Sequence, residues 1–538
     1  GAILGTIFPQ TVASINVFGL AASMAVCLLI VQIIRIQDSY EEFHEHGTRI
    51  YRVYSMFHNP VNAEPHLYGT SPARLAEYAD EDLPGIESAI HVRTAFRGMA
   101  LGDREPLYLR GMYADPDFFD MFSFALAEGN PATALSGPGK IVLSTETARR
   151  LFGTSDAVGR TVHLEDGTDL EITGIWAEAA YRTHIPISAV ASMETLRQRN
   201  DPVFDRWPRG LARSFTFLRL SPGADRAQIE GQLNDLARNR FPDIGATTLE
   251  QLYIEPIGDM HLSSVSKDND LNVNDSTILW FIGSLGIVVM AMAAFNYWSL
   301  TVARALRRSK EVGVRKTTGA SRQALVAQFM VEALVSVAVA AAVAVGLLDL
   351  LVTGFNSLTG MSSVALPETL WSEPELYVST LLFVSLVAAV AGVYPALHLS
   401  RFQAATAVKG GKLSWQAGGL GLRRVLTVVQ FGISLIIVVT TAALSNHIDM
   451  MTSIEYGLRQ EGLLKVRLHG VEYDVMRQDA LGIPGVRQVA GSSVVPLGSR
   501  NDHWLAPVGG EVFKGYRYHV TEEFIEVLDL QLLAGRDL

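Results

Sequence analysis

Hydrophobic and polar positions divide this chain into two kinds of text. Long apolar runs recur at approximately Val12–Ile34, Ile278–Val302, Ala324–Val352, Leu376–Leu399 and Val425–Leu444. Each is close to the roughly 20 helical residues that cross a bilayer core, so each predicts a membrane span. Between the first and second runs the pattern changes. Lys140-Ile-Val-Leu-Ser144 and Asp169-Leu-Glu-Ile-Thr-Gly-Ile-Trp176 read as strands, while Thr145–Phe152 and Asp225–Phe241 read as helices. A mixed α+β domain over 35–275 follows, and it belongs in water, because loops and open sheet edges cannot be satisfied in lipid.

Charge then orients the spans. The segment after the second run carries Arg304, Arg307, Arg308, Lys310, Arg315, Lys316 and Arg322 against one acid, Glu311. The segment after the fourth carries Arg401, Lys409, Lys412, Arg423 and Arg424 and no acid. Basic residues flanking spans stay on the cytoplasmic side, so both segments lie inside, and 35–275, 353–375 and the chain after Ser445 lie outside. The first run has no basic residue before it and no small-x-small cleavage pattern after it, which favours a span over a signal peptide.

The expected organisation is a first span in 1–34, an extracytoplasmic domain over 35–275 and three spans over 276–400. A cytoplasmic linker over 401–424, a fifth span over 425–444 and the start of a second extracytoplasmic domain over 445–538 complete it. The fold class is an α-helical transmembrane bundle with α+β extracytoplasmic domains.

A repeat underlies this order. Asp117-Phe-Phe-Asp-Met-Phe-Ser-Phe-Ala-Leu-Ala-Glu-Gly129 matches Glu523-Phe-Ile-Glu-Val-Leu-Asp-Leu-Gln-Leu-Leu-Ala-Gly535 class for class. Upstream, Leu83-Pro-Gly-Ile86 matches Ile483-Pro-Gly-Val486, and Phe18-Gly-Leu20 matches Phe431-Gly-Ile433, in the same order. The chain therefore reads as one unit of span, domain and three spans followed by the beginning of a second, and as a fragment of a longer protein.

Composition narrows the chemistry. The single cysteine, Cys27, lies in an apolar run, which excludes an internal disulfide and a thiolate metal site. Lys316-Thr317 follows Arg315 rather than the glycine a phosphate-binding loop needs, so no nucleotide site is expected. No Gly-x-Ser-x-Gly elbow or acid pair is apparent. The His44-Glu45-His46 cluster lacks the i, i+4 spacing of a zinc helix and reads as a solvated juxtamembrane segment. Asp349 reads as an interfacial acid and Pro395 as a span end. Gly19 with Ser23, and Gly283 with Gly286, would permit close helix approach if they face one another.

Ser309-Lys-Glu-Val-Gly-Val-Arg-Lys-Thr-Thr-Gly-Ala-Ser321, leading into Gln328-Phe-Met-Val-Glu332, resembles the signature of FtsX-like permeases. Ser39-Tyr-Glu-Glu-Phe-His44, Arg49-Ile-Tyr-Arg-Val53, Val142–Ala148, Leu151-Phe-Gly153 and Val158-Gly-Arg160 resemble a MacB-type periplasmic domain, and Tyr394-Pro-Ala396 also fits. The resemblance implies the permease of an ABC transporter, in the duplicated eight-span form, in a bacterial inner membrane. It implies no cofactor on this chain, with ATP bound by a partner ATPase, itself a homodimer.

On the same resemblance, Lys310, Glu311, Val312, Gly313, Arg315, Lys316, Gly319 and Ala320 form the ATPase-docking loop; on charge alone they are topogenic residues. Expected partners are that ATPase, the lipid bilayer and an extracytoplasmic cargo or adaptor, with no nucleic acid. The implied function is mechanotransmission for efflux or extraction of a peptide, lipoprotein or toxic compound. The competing implication is a non-transport regulator of an envelope enzyme or sensor.

Overall fold

The computed structural model describes residues 2–262 apart from short loops, then 279–296, 321–359, 380–387, 419–453 and most of 457–536. The chain divides into a helical unit, residues 1–39 with 276–452, and a mixed unit, residues 40–275 with 453–538.

In the helical unit, α1 (Ala2–Asp38), α7 (Leu279–Asn296), α8 (Arg322–Thr359) and α9 (Gly419–Ser453) contain the candidate spans. The apolar stretches long enough to cross a membrane, among the described residues, are Val17–Asp38, Leu279–Asn296, Leu334–Ser357 and Thr427–Met451. The run at 376–399 lies outside the described residues except for helix at 380–387. In lipid a helix is the local solution, since it satisfies every backbone group within the segment.

Small residues let these helices approach. Cys27 Sγ donates to the Gly286 carbonyl at 3.3 Å, and a Cβ on Gly286 would meet Ile30 at 3.3 Å. Gly283 faces Ile34 and Gly19 faces Asn296, so Gly19, Gly283 and Gly286 each meet the opposite helix. On α8, Val337, Ala340, Ala344, Leu348 and Val352 are buried at helical spacing, while Val335, Val339, Val343 and Leu350 are exposed. An apolar outer face is what lipid requires.

The mixed unit is built on a sheet in the order β11-β1-β10-β3-β4-β9-β6-β8-β5, with β2 beside β1 and β7 beside β3 and β8. These strands are β1 (Ile50–Asn59), β2 (Asn62–Tyr68), β3 (Ile86–Ala100), β4 (Leu107–Ala114), β5 (Leu126–Gly129) and β6 (Lys140–Ser144). They continue as β7 (Thr161–Leu164), β8 (Asp169–Trp176), β9 (Ala189–Ser192), β10 (Ser214–Leu220) and β11 (Thr248–Pro256). Pairing is antiparallel except at β4/β9 and β6/β8.

Helices α2 (Leu75–Asp82) and α6 (Arg226–Arg240) share a core with β1, β10 and β11. A second core gathers Ala148 of α4 (Thr145–Phe152) and Met193 and Leu196 of α5 (Met193–Gln198) with β6 to β9. Between them, Phe118, Phe119, Phe122, Phe124 and Trp176 form an aromatic core around the short helix α3 (Phe118–Met121). Local chemistry explains the helix ends. Ser144 Oγ accepts the Thr147 N–H at 3.1 Å, Asp225 accepts the Ala227 N–H at 3.1 Å, and Gly153 closes α4 at φ 76°.

The C-terminal segment holds α10 (Tyr473–Leu481), the hairpin of β12 (Asp502–Val508) and β13 (Glu511–Arg517), and α11 (Phe524–Val527). Over residues 521–530 its backbone hydrogen bonds repeat those of residues 115–124. The Phe124 N–H reaches the Phe119 carbonyl at 3.1 Å, and the Leu530 N–H reaches the Ile525 carbonyl at 3.0 Å. Ser123 and Asp529, the matching corner residues, have φ of 54° and 55°. Val92 pairs with Ala114, and Ser492 bridges Val520. One side-chain bond also recurs: Asp115 accepts the His91 N–H at 2.7 Å, and Thr521 accepts the Gly491 N–H at 3.0 Å. The shared residue classes therefore encode one turn geometry used twice.

Candidate functional site

Lys310, Glu311, Val312, Gly313, Arg315, Lys316, Gly319 and Ala320 lie outside the described residues. What the structure describes is their frame. The described part of α7 reaches Asn296, and α8 begins after Ser321, whose Oγ accepts the Ala324 N–H at 3.2 Å. The basic segment thus joins two of the apolar helices and leads into a capped helix start.

The residues around His44 form a built structure. His44 and Glu41 are both buried, His44 Nε2 lies 2.7 Å from Glu41, and its Nδ1 lies 2.6 Å from the Phe122 carbonyl. Glu41 also accepts from Thr183 Oγ at 2.9 Å, and its backbone N–H donates to the Arg182 carbonyl at 3.0 Å. The expectation of a solvated segment is corrected here: His44 is a buried clamp that ties the chain just after α1 to the α3 corner. No cluster able to hold a metal occurs among the described residues. Asp349 is exposed on α8, and its carbonyl accepts from Thr353 Oγ at 2.9 Å.

Sequence reasoning missed a cleft in the mixed unit, with a cavity volume of about 200 Å³. One wall is Arg74 and Tyr78 at α2 with Arg240 and Phe241 at the end of α6; the other is Phe204 and Trp207. The two guanidiniums stack on the Tyr78 ring at 5.0 Å for Arg74 and 4.7 Å for Arg240. Glu77 holds Arg74 at 2.6 Å and Asp82 holds Arg240 at 2.8 Å, while Trp207 Nε1 donates to the Pro242 carbonyl at 2.6 Å.

Behind Phe204 is a closed ring of contacts. The His91 ring meets Phe204 edge-on at 6.1 Å, Arg197 lies 5.8 Å over Phe204, and Arg197 reaches Asp115 at 3.4 Å. Asp115 completes the ring through the His91 backbone N–H. His91 is fully buried and neither ring nitrogen has a hydrogen-bond partner among the described residues. Burial pushes its pKa down to about 3, with Arg93 and Arg197 acting in the same direction. Burial raises the Asp115 carboxyl to about 6, against the opposing pull of Arg197 and the His91 N–H. In the C-terminal segment Gly491 and Thr521 occupy these two places, so the titrating pair belongs to the first copy alone.

Comparison with known proteins matches residues 13–236 to the MacB-like periplasmic core domain and residues 283–404 to the FtsX-like permease C-terminal domain. The chain carries both modules of a MacB/FtsX-type permease. The FtsX-like match takes in the whole basic segment 304–322.

An uncharacterized ABC transporter permease of Bacillus subtilis, YvrN, is 22% identical over 301 residues, covering 55% of this chain and 68% of the relative. The macrolide export ATP-binding/permease protein MacB of Bdellovibrio bacteriovorus is 21% identical over 282 residues, covering 50% of this chain and 38% of the relative. Among solved structures, a permease-protein domain from Porphyromonas gingivalis is 19% identical with a TM-score of 0.35, covering 44% of this chain and 98% of that domain. The periplasmic region of MacB from Actinobacillus actinomycetemcomitans is 12% identical with a TM-score of 0.30, covering 40% of this chain and 90% of that region.

Proposed function

We propose that this chain is the membrane subunit of an ABC transporter in a bacterial inner membrane, and that it transmits force rather than forming a pore. A partner ATPase, dimerising on ATP, grips Lys310–Ala320 between α7 and α8. The spans carry that motion to the periplasmic domain, which acts on a peptide, a lipoprotein or a toxic compound. ATP is bound by the partner; the chain supplies no nucleotide site of its own.

The observation that carries this reading is the order of modules on one polypeptide: an apolar helix leads into the MacB-like domain, and the FtsX-like module follows with its basic segment intact. The test is a pull-down of the full chain from detergent-solubilised membranes, comparing wild type with Glu311→Lys plus Gly313→Trp. An ABC ATPase that accompanies the wild type and is lost from the variant supports the reading. Equal recovery of an ATPase with both proteins refutes the docking role of the loop. No ATPase with either protein refutes the transporter role, and an envelope enzyme in its place would mark the chain as a regulator.

A further inference from the structure

We propose that Arg226, Glu230 and Asn234 of α6 guard an open edge of the sheet. They occupy the outward hydrogen-bonding groups of β11 and so keep that edge from pairing with β11 of a second copy of this chain.

β11 stands at one end of the strand order, and the strand beside it among the described residues is β1. It runs for 9 residues, whereas β5 at the opposite end has 4. A long edge strand offers a row of N–H and C=O groups to any similar strand. In an antiparallel pair alternate residues turn these groups toward and away from the neighbour, and in β11 Leu252 and Ile254 turn theirs away from β1, toward α6.

The α6 side chains take up those groups. The Leu252 N–H donates to Asn234 Oδ1 at 2.8 Å, and Asn234 Nδ2 donates to the Leu252 carbonyl at 2.9 Å. The amide of one side chain thus stands in for the peptide group of a neighbouring strand. One rung along, the Ile254 N–H donates to Glu230 Oε2 at 3.2 Å, and Arg226 Nη2 donates to the Ile254 carbonyl at 2.6 Å. The spacing fits, since residues four apart on a helix rise about 6 Å and alternate residues of a strand about 6.7 Å. Asn234 Nδ2 also donates to the Glu230 carbonyl at 2.8 Å, which fixes the amide in place.

Asparagine is a poor residue for a helix interior because its side chain competes for backbone groups. Here that competition is directed at β11. Other residues hold α6 to the sheet: Ile229, Leu233, Leu236 and Ala237 share a core with Leu252 and Ile254. The guarding row can therefore be removed while the helix stays seated. A second copy is the partner that fits the exposed edge, because identical edges pair antiparallel about a two-fold axis and the assembly closes after one step.

The test uses the full chain in detergent micelles at low and at high protein concentration, with hydrogen exchange read on peptides covering 249–256. Wild type is expected to exchange slowly at both. Glu230→Leu with Asn234→Leu is expected to exchange at least about tenfold faster at low concentration. At high concentration it is expected to return to wild-type protection, together with a larger species in sedimentation velocity. Asn234→Ala, which leaves Glu230 and Arg226 in place, is expected to show the same concentration dependence and decides the matter if near-ultraviolet circular dichroism finds the double variant unfolded. Fast exchange at every concentration would overturn the proposal, since the side chains would then only brace the strand. So would wild-type protection of the variants at low concentration, or association that leaves 249–256 exchanging fast. The assay contains no ATPase and involves no transport, so its result stands apart from the pull-down.

Discussion

Leucine in place of His91 removes a buried imidazole with no hydrogen-bond partner among the described residues, and the consequence is read in the pH dependence of stability. The His91 pKa falls from its ordinary 6.5 to about 3 in the folded protein. A lowered imidazole pKa means the folded state resists protonation, so stability is complete above pH 6.5 and is lost as the pH falls toward 3. Between pH 7 and pH 4 the loss is about 3 kcal/mol.

Asp115 acts in the opposite sense. Its pKa rises from 3.8 to about 6, so its favourable contribution is complete below pH 3.8 and is lost as the pH climbs through 6. Over the same acidification it returns about 2 kcal/mol, and the two groups together leave a net loss of about 1 kcal/mol.

His91→Leu therefore reverses the slope contributed by the pair, to a gain of about 2 kcal/mol between pH 7 and pH 4, whereas Asp115→Asn steepens the loss to about 3 kcal/mol. All other groups titrate alike in the three proteins, so differences between them isolate this pair. The assay is hydrogen exchange of peptides covering 86–93 and 214–220 in the full chain, across urea at pH 7 and pH 4, corrected for intrinsic exchange. Identical pH dependence in wild type and His91→Leu, or an Asp115→Asn no steeper than wild type, would refute the electrostatic account of the ring.

Other variants probe the scaffold. At Gly129, with φ 99°, a Cβ would stand 2.5 Å from the Thr173 carbonyl oxygen, and at the matching Gly535, with φ 104°, it would meet nothing within 4 Å. Gly129→Ala is expected to cost more than about 2 kcal/mol by urea unfolding and Gly535→Ala about 1 kcal/mol, the latter from backbone strain alone. Glu41→Ala leaves His44 Nε2 without its partner and should cost about 2 kcal/mol, seen as faster exchange at 118–124. Gly286→Leu forces side-chain atoms into Ile30, so the buried Cys27 thiol is expected to label slowly with maleimide in the wild type and readily in the variant.

Much of the scaffold could be read from residue patterns because local chemistry decides it. Thr145–Phe152 begins behind Ser144 and stops at Gly153, and the alternation from Asp169 to Gly174 is the burial pattern of β8 before its end is buried on both faces. The likeness of 117–129 to 523–535 reappears as the same turn with the same hydrogen bonds. His91 was not readable. Ile90, His91 and Val92 are all buried because β3 is covered on both faces, and alternation distinguishes inside from outside only when one face meets water. His44 looked solvated because what buries it lies far along the chain: Glu41 is only three residues away, but the Phe122 carbonyl belongs to the α3 corner. The cleft unites positions 73–78, 203–207 and 240–242, which no linear motif connects. The basic segment is the reverse case, where the argument rests on residue identities and module order.

The most direct test of the central claim places a photo-crosslinking amino acid at Val312 of the full chain in native membranes, irradiates, and identifies the captured protein. A crosslink to an ABC ATPase, strengthened when ATP is trapped unhydrolysed, is the expected result. Expression and insertion equal to wild type with no ATPase among the crosslinked products would contradict it.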